Sequence, residues 1–119
     1  MRSKHSLIRS FKFAFDGIFS EFKKGRNFRI QVFLGATAVV LGVVLKITPP
    51  EWFSLILVIA SVLILELVNT AIESMVDMIS PEIQEKARIA KDVSAGAVLI
   101  ASIAAATVGA FLFIPKIIR

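Results

Sequence analysis

Three long apolar runs decide what this chain can fold into. Residues 28–47, 52–79 and 93–114 contain very few charged side chains. As a helix, the first run would span about 30 Å, the thickness of the hydrocarbon core of a bilayer. Hydrophobic residues make up 56% of the chain and mean hydropathy is +0.80, both above the values of soluble proteins. The sequence therefore predicts an all-α integral membrane protein with three transmembrane helices.

The first 27 residues are of a different kind. They are strongly basic, and apolar side chains recur at helical spacing: Leu7, Phe11, Phe15, Ile18 and Phe22. This pattern predicts an amphipathic helix lying among the lipid headgroups. A nucleic-acid-binding arm needs polar and stacking surfaces, whereas this segment has a stripe of phenylalanines. We therefore expect no nucleic-acid partner. No short apolar core with a cleavage site follows, so we also expect no removable signal peptide.

Breaks between the apolar runs set the expected topology. The Thr48-Pro49-Pro50 turn ends the first span, and the second pattern continues to Ile79 over about 42 Å, which is longer than a bilayer requires. We expect this helix to extend into the cytoplasm and a polar, partly helical connector to follow over residues 80–92. Basic residues concentrate in the amino-terminal segment and this connector, which places both in the cytoplasm. Residues 1–119 are expected to form a single membrane domain.

The expected spans carry small residues suited to close helix packing. Gly35, Ala38 and Gly42 lie on one stripe of the first span, and the third is rich in glycine and alanine. Three helices alone cannot enclose a large polar chamber. We therefore expect a symmetric homo-oligomer with sites between its subunits.

Four polar residues share one stripe of the second span. Glu66, Asn69, Glu73 and Asp77 follow spacings of three, four and four. A charged side chain within a bilayer costs about 2.5 to 3.5 kcal/mol on insertion scales. Interhelical hydrogen bonds, or a helix end outside the bilayer, are the structural alternatives. Because four polar groups keep one register, we interpret the stripe as a functional site.

The residue types in this stripe suit a hard cation. Two carboxylates one turn apart can bind Mg²⁺, with phosphates completing its coordination. Lys91 lies at the cytoplasmic entry to the third span, where its charge can contact phosphate oxygens. The chain has no phosphate-binding glycine loop and no protein-kinase signature. The residues alone indicate a cation-dependent site at a membrane surface.

Longer motifs resemble one known family. The run from Glu66 to Asp77, Glu-Leu-Val-Asn-Thr-Ala-Ile-Glu-Ser-Met-Val-Asp, with Ala90-Lys91-Asp92 and Ala95-Gly-Ala-Val-Leu99, is similar to the signature of prokaryotic diacylglycerol and undecaprenol kinases. The resemblance implies a homotrimer of three-span subunits in a bacterial inner membrane. It also implies transfer of the ATP γ-phosphate, with Mg²⁺, to a lipid alcohol. The Lys-Gly-Arg-Asn-Phe-Arg run and the Phe-Ile-Pro-Lys-Ile tail look closer to the undecaprenol kinase branch.

The resemblance also implies residue roles. It makes Glu66 the catalytic base, Glu73 a metal ligand, and Asn69 and Asp77 supporting polar residues. The residues matched to nucleotide contacts or lying near the nucleotide are Phe13, Glu73, Glu82, Ile83, Gln84, Lys91 and Asp92.

Two positions depart from the family pattern. Gly25 stands where a second metal-binding glutamate is usual, and Phe13 stands where a tyrosine is common. Glu21, one turn before Gly25, is a candidate substitute; the alternative is a metal held by Glu73, phosphates and water. On this basis Gly25→Glu is expected to lower the Mg²⁺ concentration needed for half-maximal rate.

Three other functions stay open. The lipid acceptor can be diacylglycerol, giving phosphatidic acid. A small oligomeric ion or proton transporter would explain one intramembrane carboxylate such as Glu66, but not the stripe that continues to the surface. A non-catalytic assembly subunit would explain only the small-residue stripes.

Overall fold

The computed structural model describes residues 7–80, 82 and 84–118. Within these residues the chain forms four helices and no strand: α1 (Leu7–Lys24), α2 (Arg26–Val44), α3 (Pro49–Ile79) and α4 (Glu85–Ile117). Helices α2, α3 and α4 are long and apolar enough to cross a membrane. The prediction of an all-α membrane protein with three candidate spans is confirmed.

The junction between α1 and α2 is a tight bend at Gly25. The Arg29 guanidinium, in the first turn of α2, donates to the carbonyls of Phe22 (2.9 Å) and Lys23 (2.7 Å). These carbonyls belong to the last turn of α1, whose acceptors have no partner within the helix. Phe28 is buried beside the bend. The end of α1 is therefore held against the start of α2.

The turn between α2 and α3 is defined by its capping residues. Lys46 has a φ of 55°, the left-handed conformation that commonly ends a helix. Thr48 and Glu51 form a reciprocal capping box at the start of α3, with Thr48 N donating to Glu51 Oε1 at 2.9 Å. Pro49 and Pro50 occupy the first turn, where the missing N–H groups cost nothing. The predicted break is thus also the start of the next helix.

The apolar core lies at this end of the bundle. Ile47, Leu55, Leu112 and Phe113 are buried against one another. Lys116, in the last turn of α4, donates to Glu51 Oε2 at 2.7 Å and joins the two helix ends. The carboxylate stripe lies toward the other end of α3, away from this core.

Helix α4 begins earlier than the third span predicted over residues 93–114. Residues 85–92, expected to lie in a polar and partly helical connector, are helical and form its first two turns. Arg88 forms ion pairs with Glu85 and with Asp92 at helical spacing, at 3.5 Å in the second case. Polar residues that pair along a helix do not interrupt it, so the end of the apolar pattern was not the end of the helix.

Most side chains of the spans lie on the surface of the single chain. In the most apolar windows of α2, α3 and α4, only 17%, 17% and 11% of residues are buried. Large apolar residues such as Phe33, Leu57 and Ile100 are exposed. Such surfaces are suited to lipid or to other subunits.

Candidate active site

Glu66 is the most deeply buried of the polar residues on α3. Only 6% of its surface is exposed. Among the described residues none donates a hydrogen bond to its carboxylate, and its electrostatic neighbours are two further carboxylates, Glu21 and Glu73. A largely buried carboxylate beside two others is costly to keep ionised unless a proton, a cation or polar groups at the chain surface balance its charge.

Asn69 connects the carboxylates to α4. Its amide lies 3.5 Å from Glu73 Oε1, and its carbonyl oxygen accepts a hydrogen bond of 2.7 Å from the Ser94 hydroxyl. Ser94 is itself buried. The Ser94 bond therefore ties Asn69 to α4, and the Asn69 amide is in weak contact with Glu73 one turn along α3.

Nearer the end of α3, the stripe meets a lysine. Lys91 Nζ lies 2.6 Å from Asp77 Oδ1 across the two helices. This pair is part of the wall of a pocket of about 280 Å³. The described residues that line the pocket are Val76, Asp77, Ser80, Glu82, Gln84, Ala87, Arg88 and Lys91. Three residues predicted to contact the nucleotide or lie near it, Glu82, Gln84 and Lys91, therefore share one pocket with Asp77 of α3.

Helix α1 also contacts α3 near the stripe. The Thr70 hydroxyl donates to Glu21 Oε2 at 2.6 Å, a contact between residues 49 positions apart. A second pocket, of about 510 Å³, lies between these helices and is lined by Phe13, Glu21 and Thr70 together with smaller and apolar side chains. Glu21 is thus held beside Glu66 by a specific bond.

The structure does not bring all the predicted residues together. Within the chain Phe13 lines the α1–α3 pocket, whereas Lys91 and Gln84 line the α3–α4 pocket. Asp92 pairs with Arg88 on the exposed side of α4 instead of joining Lys91. Ile83 lies outside the described residues.

Two site residues were missed by sequence reasoning. Thr70 lies four residues after Glu66, and Ser94 lies three residues after Lys91, so both are on helical faces already singled out. Their hydroxyls were overlooked because short polar side chains are common in membrane helices, where many bond to their own backbone. Thr37 and Ser61 do so here.

The carboxylates suit Mg²⁺ only if a ligand completes its coordination. In the part of the chain that the structure describes, no three His, Cys, Asp or Glu side chains are grouped closely enough to form a metal site alone. Mg²⁺ is commonly held by one or two carboxylates plus phosphate oxygens and waters. Glu21 and Glu73, both near Glu66, supply oxygen donors of this kind. The residues fit a cation brought with a phosphate ligand.

Comparisons with known proteins show which proteins the chain resembles. The chain is 41% identical to a diacylglycerol kinase of Synechocystis over 114 residues, which are 95% of this chain and 65% of that protein. It is 33% identical to the undecaprenol kinase of Bacillus subtilis over 93% of this chain and 90% of the other. It is 40% identical to a diacylglycerol kinase of Haemophilus influenzae, over 80% of each.

The match extends through the whole membrane region. The sequence model of the family described as prokaryotic diacylglycerol kinase covers residues 12–113, from the middle of α1 almost to the end of α4. This range includes all the carboxylates of the candidate site. The chain therefore belongs to the prokaryotic diacylglycerol kinase family of membrane lipid kinases.

Proposed function

We propose that this lipid kinase transfers the γ-phosphate of ATP to undecaprenol, forming undecaprenyl phosphate, with Mg²⁺ bound to the triphosphate. The observation that carries the proposal is Glu66, a carboxylate that is 6% exposed, without a hydrogen-bond donor among the described residues, in an apolar helix. Such a group suits a base that meets a lipid hydroxyl at the edge of the bilayer.

In the proposed reaction Glu66 accepts the proton of the lipid hydroxyl. The hydroxyl oxygen bonds to the γ-phosphorus, the bond from that phosphorus to the β–γ bridging oxygen breaks, and ADP leaves. Phosphoryl transfer depends mainly on positioning and charge neutralisation. Lys91 would contribute one positive charge toward the phosphates, and Glu73, oriented by Asn69, would hold Mg²⁺. When bound, Mg²⁺ neutralises part of the phosphate charge.

Two lipid acceptors deserve direct comparison. Undecaprenol is supported by the Bacillus subtilis relative, whose match covers 90% of that protein, and by the Lys-Gly-Arg-Asn-Phe-Arg run at the α1–α2 bend. Diacylglycerol is the second candidate, since two relatives at 41% and 40% identity bear that name. Both acceptors present a primary hydroxyl at the headgroup level, so the catalytic residues are the same for either.

We also propose that the working unit is a homotrimer, with its amino terminus and active site on the cytoplasmic side of a bacterial inner membrane. The exposed apolar faces of α2, α3 and α4 leave surface for neighbouring subunits. The separation of Phe13 from Lys91 in one chain favours sites completed between subunits. Basic residues of α1 and of the start of α4 support the cytoplasmic orientation.

A lipid phosphorylation assay tests the proposal. Purified protein in mixed micelles is given γ-labelled ATP, Mg²⁺ and either undecaprenol or diacylglycerol. We expect label in undecaprenol and a rate lower by about 10²- to 10⁴-fold in Glu66→Gln. Glu73→Gln should also lower the rate, and raising Mg²⁺ should recover part of it.

The same assay includes a control variant and has results that would contradict the proposal. Asp16→Asn removes a carboxylate from the exposed face of α1 and should leave the rate unchanged. Label that enters only diacylglycerol would reject undecaprenol as substrate. A Glu66→Gln protein as fast as wild type would reject Glu66 as the base.

A further inference from the structure

Ser94 directs its hydroxyl to another helix and not to its own backbone. The hydroxyls of Thr37, Ser61 and Thr107 each donate to the carbonyl four residues earlier in the same helix. This local bond is common for serine and threonine within a helix. Ser94 Oγ instead donates to Asn69 Oδ1 at 2.7 Å and joins α4 to α3. The Ser94 hydroxyl therefore acts on a side chain of the carboxylate stripe.

The bond between Ser94 and Asn69 is shielded from water. Ser94 is 8% exposed, and Asn69 is half-buried. In such surroundings a hydrogen bond is electrostatically stronger than in water, and a polar atom that loses its partner is costly. The Ser94 hydroxyl therefore determines where the Asn69 carbonyl oxygen points.

A second contact holds the same face of α4 against α3. Lys91, one turn before Ser94, lies 2.6 Å from Asp77. On α3, Asn69 and Asp77 are two turns apart, and Glu73 lies between them. The two helices are thus joined on both sides of Glu73, so removal of the Ser94 hydroxyl alone should leave them aligned.

The bond to Ser94 sets which side of the Asn69 amide meets the carboxylates. An amide has a carbonyl oxygen, which repels a carboxylate, and an amino group, which donates to one. With the oxygen held by Ser94, the amino group faces Glu73, in weak contact at 3.5 Å. Glu66 lies one turn before Asn69 on the same stripe. Without the Ser94 hydroxyl the amide is free to rotate, and its donor is no longer aimed at Glu73.

We propose that Ser94 is a positioning residue for phosphoryl transfer, which acts by holding the Asn69 amide with its amino group toward Glu73. This inference rests on the proposed kinase function, in which Glu73 holds Mg²⁺. Removal of a group that orients a metal ligand typically costs about 10- to 100-fold in activity. Ser94 itself touches neither the lipid nor the nucleotide, and its effect passes through Asn69.

Nuclear magnetic resonance of the Asn69 side chain tests the positioning without a reaction. Asn27 and Asn69 are the two asparagines of the chain, so ¹⁵N-asparagine labelling of the full-length protein in detergent gives two side-chain amide signals. The signal that disappears in Asn69→Ala belongs to Asn69. In Ser94→Ala the Asn69 signal should shift and the Asn27 signal should not. Ser61→Ala, the same change at a hydroxyl bonded to its own helix, should shift neither signal.

A further substitution shows whether the amide still faces Glu73. Glu73→Gln should shift the Asn69 signal, because it removes the charge that the amino group faces. In the Ser94→Ala background the same substitution should shift this signal by less than about half as much. An equal shift in both backgrounds would show that Ser94 does not set the direction of the amide.

A double-mutant cycle tests the consequence for lipid phosphorylation. Ser94→Ala should lower kcat about tenfold and change the KM for ATP less than about twofold, because Lys91 is untouched. In an Asn69→Ala protein, whose residual rate is followed with γ-labelled ATP, Ser94→Ala should cause no further loss of kcat. A role limited to packing of α3 against α4 would lower kcat by the same factor in both backgrounds, and this result would overturn the proposal.

The outcomes separate this inference from the function on which it rests. A wild-type Asn69 signal, or a wild-type kcat, in Ser94→Ala would overturn the role of Ser94. Absence of lipid phosphorylation by the wild type would overturn the proposed kinase function, and the resonance experiment would still decide whether Ser94 orients Asn69. If Ser94→Ala does not fold, Ser94→Cys decides, because a thiol of similar size donates only weakly. A wild-type kcat in that variant would overturn the inference.

Discussion

Replacing Glu66 with leucine should stabilise the protein while abolishing its activity. Glu66 is buried in α3, without a hydrogen-bond donor among the described residues and with Glu21 and Glu73 as its charged neighbours. A residue in this situation contributes nothing favourable that leucine would lose. Leucine fills a similar volume and removes the repulsion, so the substitution should raise the free energy of unfolding while it removes the group proposed to act as the base.

The magnitude follows from depth in the bilayer. Glu66 lies 14 residues after Trp52, or about 21 Å along the helix, which places it in the leaflet opposite Trp52 and short of the surface. A charge at the bilayer centre costs about 2.5 to 3.5 kcal/mol, and a leucine there gains about 0.3 to 0.6 kcal/mol. Because Glu66 is off-centre and the unfolded chain stays partly in detergent, we expect Glu66→Leu to raise the free energy of unfolding by about 1 to 3 kcal/mol.

The chain carries its own reporter for this measurement. Trp52 is the single tryptophan, and it packs against the apolar core at the far end of the bundle. Its fluorescence during unfolding by sodium dodecyl sulfate in mixed micelles gives the free energy of unfolding. Ile64→Leu, on the exposed side of the same helix, is the matched control and should change stability by less than about 0.5 kcal/mol.

Two results would refute the reasoning. A Glu66→Leu protein less stable than wild type by 1 kcal/mol or more would mean that the carboxylate makes a stabilising contact in the assembled protein. Retained phosphoryl transfer in this variant would mean that Glu66 takes no part in the reaction. In either case the buried carboxylate would need another explanation.

Other changes test separate parts of the structure. Lys91→Gln should raise the KM for ATP roughly 10- to 100-fold, because the positive charge near the phosphates is lost. Lys86→Gln, a change on the exposed side of α4, should leave this KM unchanged. Equal KM values in the two variants would show that Lys91 is not part of the nucleotide site. Gly42→Ala should lower the free energy of unfolding by about 1 to 3 kcal/mol, because its Cβ would lie 2.8 Å from the Trp52 ring. Gly17→Ala, with no atom within 4 Å of the added carbon, should be neutral or slightly stabilising, and an equal loss in both glycine variants would rule out the packing argument.

The membrane architecture could be predicted because it depends on long patterns. Apolar runs of bilayer length and the phenylalanine stripe of the first segment each average over many residues, so single exceptions do not alter the prediction. Element ends depend on local capping instead. Thr48 and Glu51 start α3 within a predicted break, and ion pairs of Arg88 extend α4 into a predicted connector.

The candidate site could be predicted only in part. The register of Glu66, Asn69, Glu73 and Asp77 follows from helix geometry and needs no tertiary information. The contacts of Thr70 with Glu21 and of Ser94 with Asn69 join residues far apart in the chain. The periodicity of a sequence does not indicate which faces of two helices meet, so these contacts could be seen only in the three-dimensional structure.

The central claim is that the carboxylate stripe of α3 is where the triphosphate meets the membrane. A structure of the protein bound to Mg²⁺ and β,γ-methylene-ATP in lipid nanodiscs tests this most directly. We expect the γ-phosphate beside Glu66 and Glu73, with Lys91 contacting the phosphate chain. A nucleotide bound away from all three residues would contradict it.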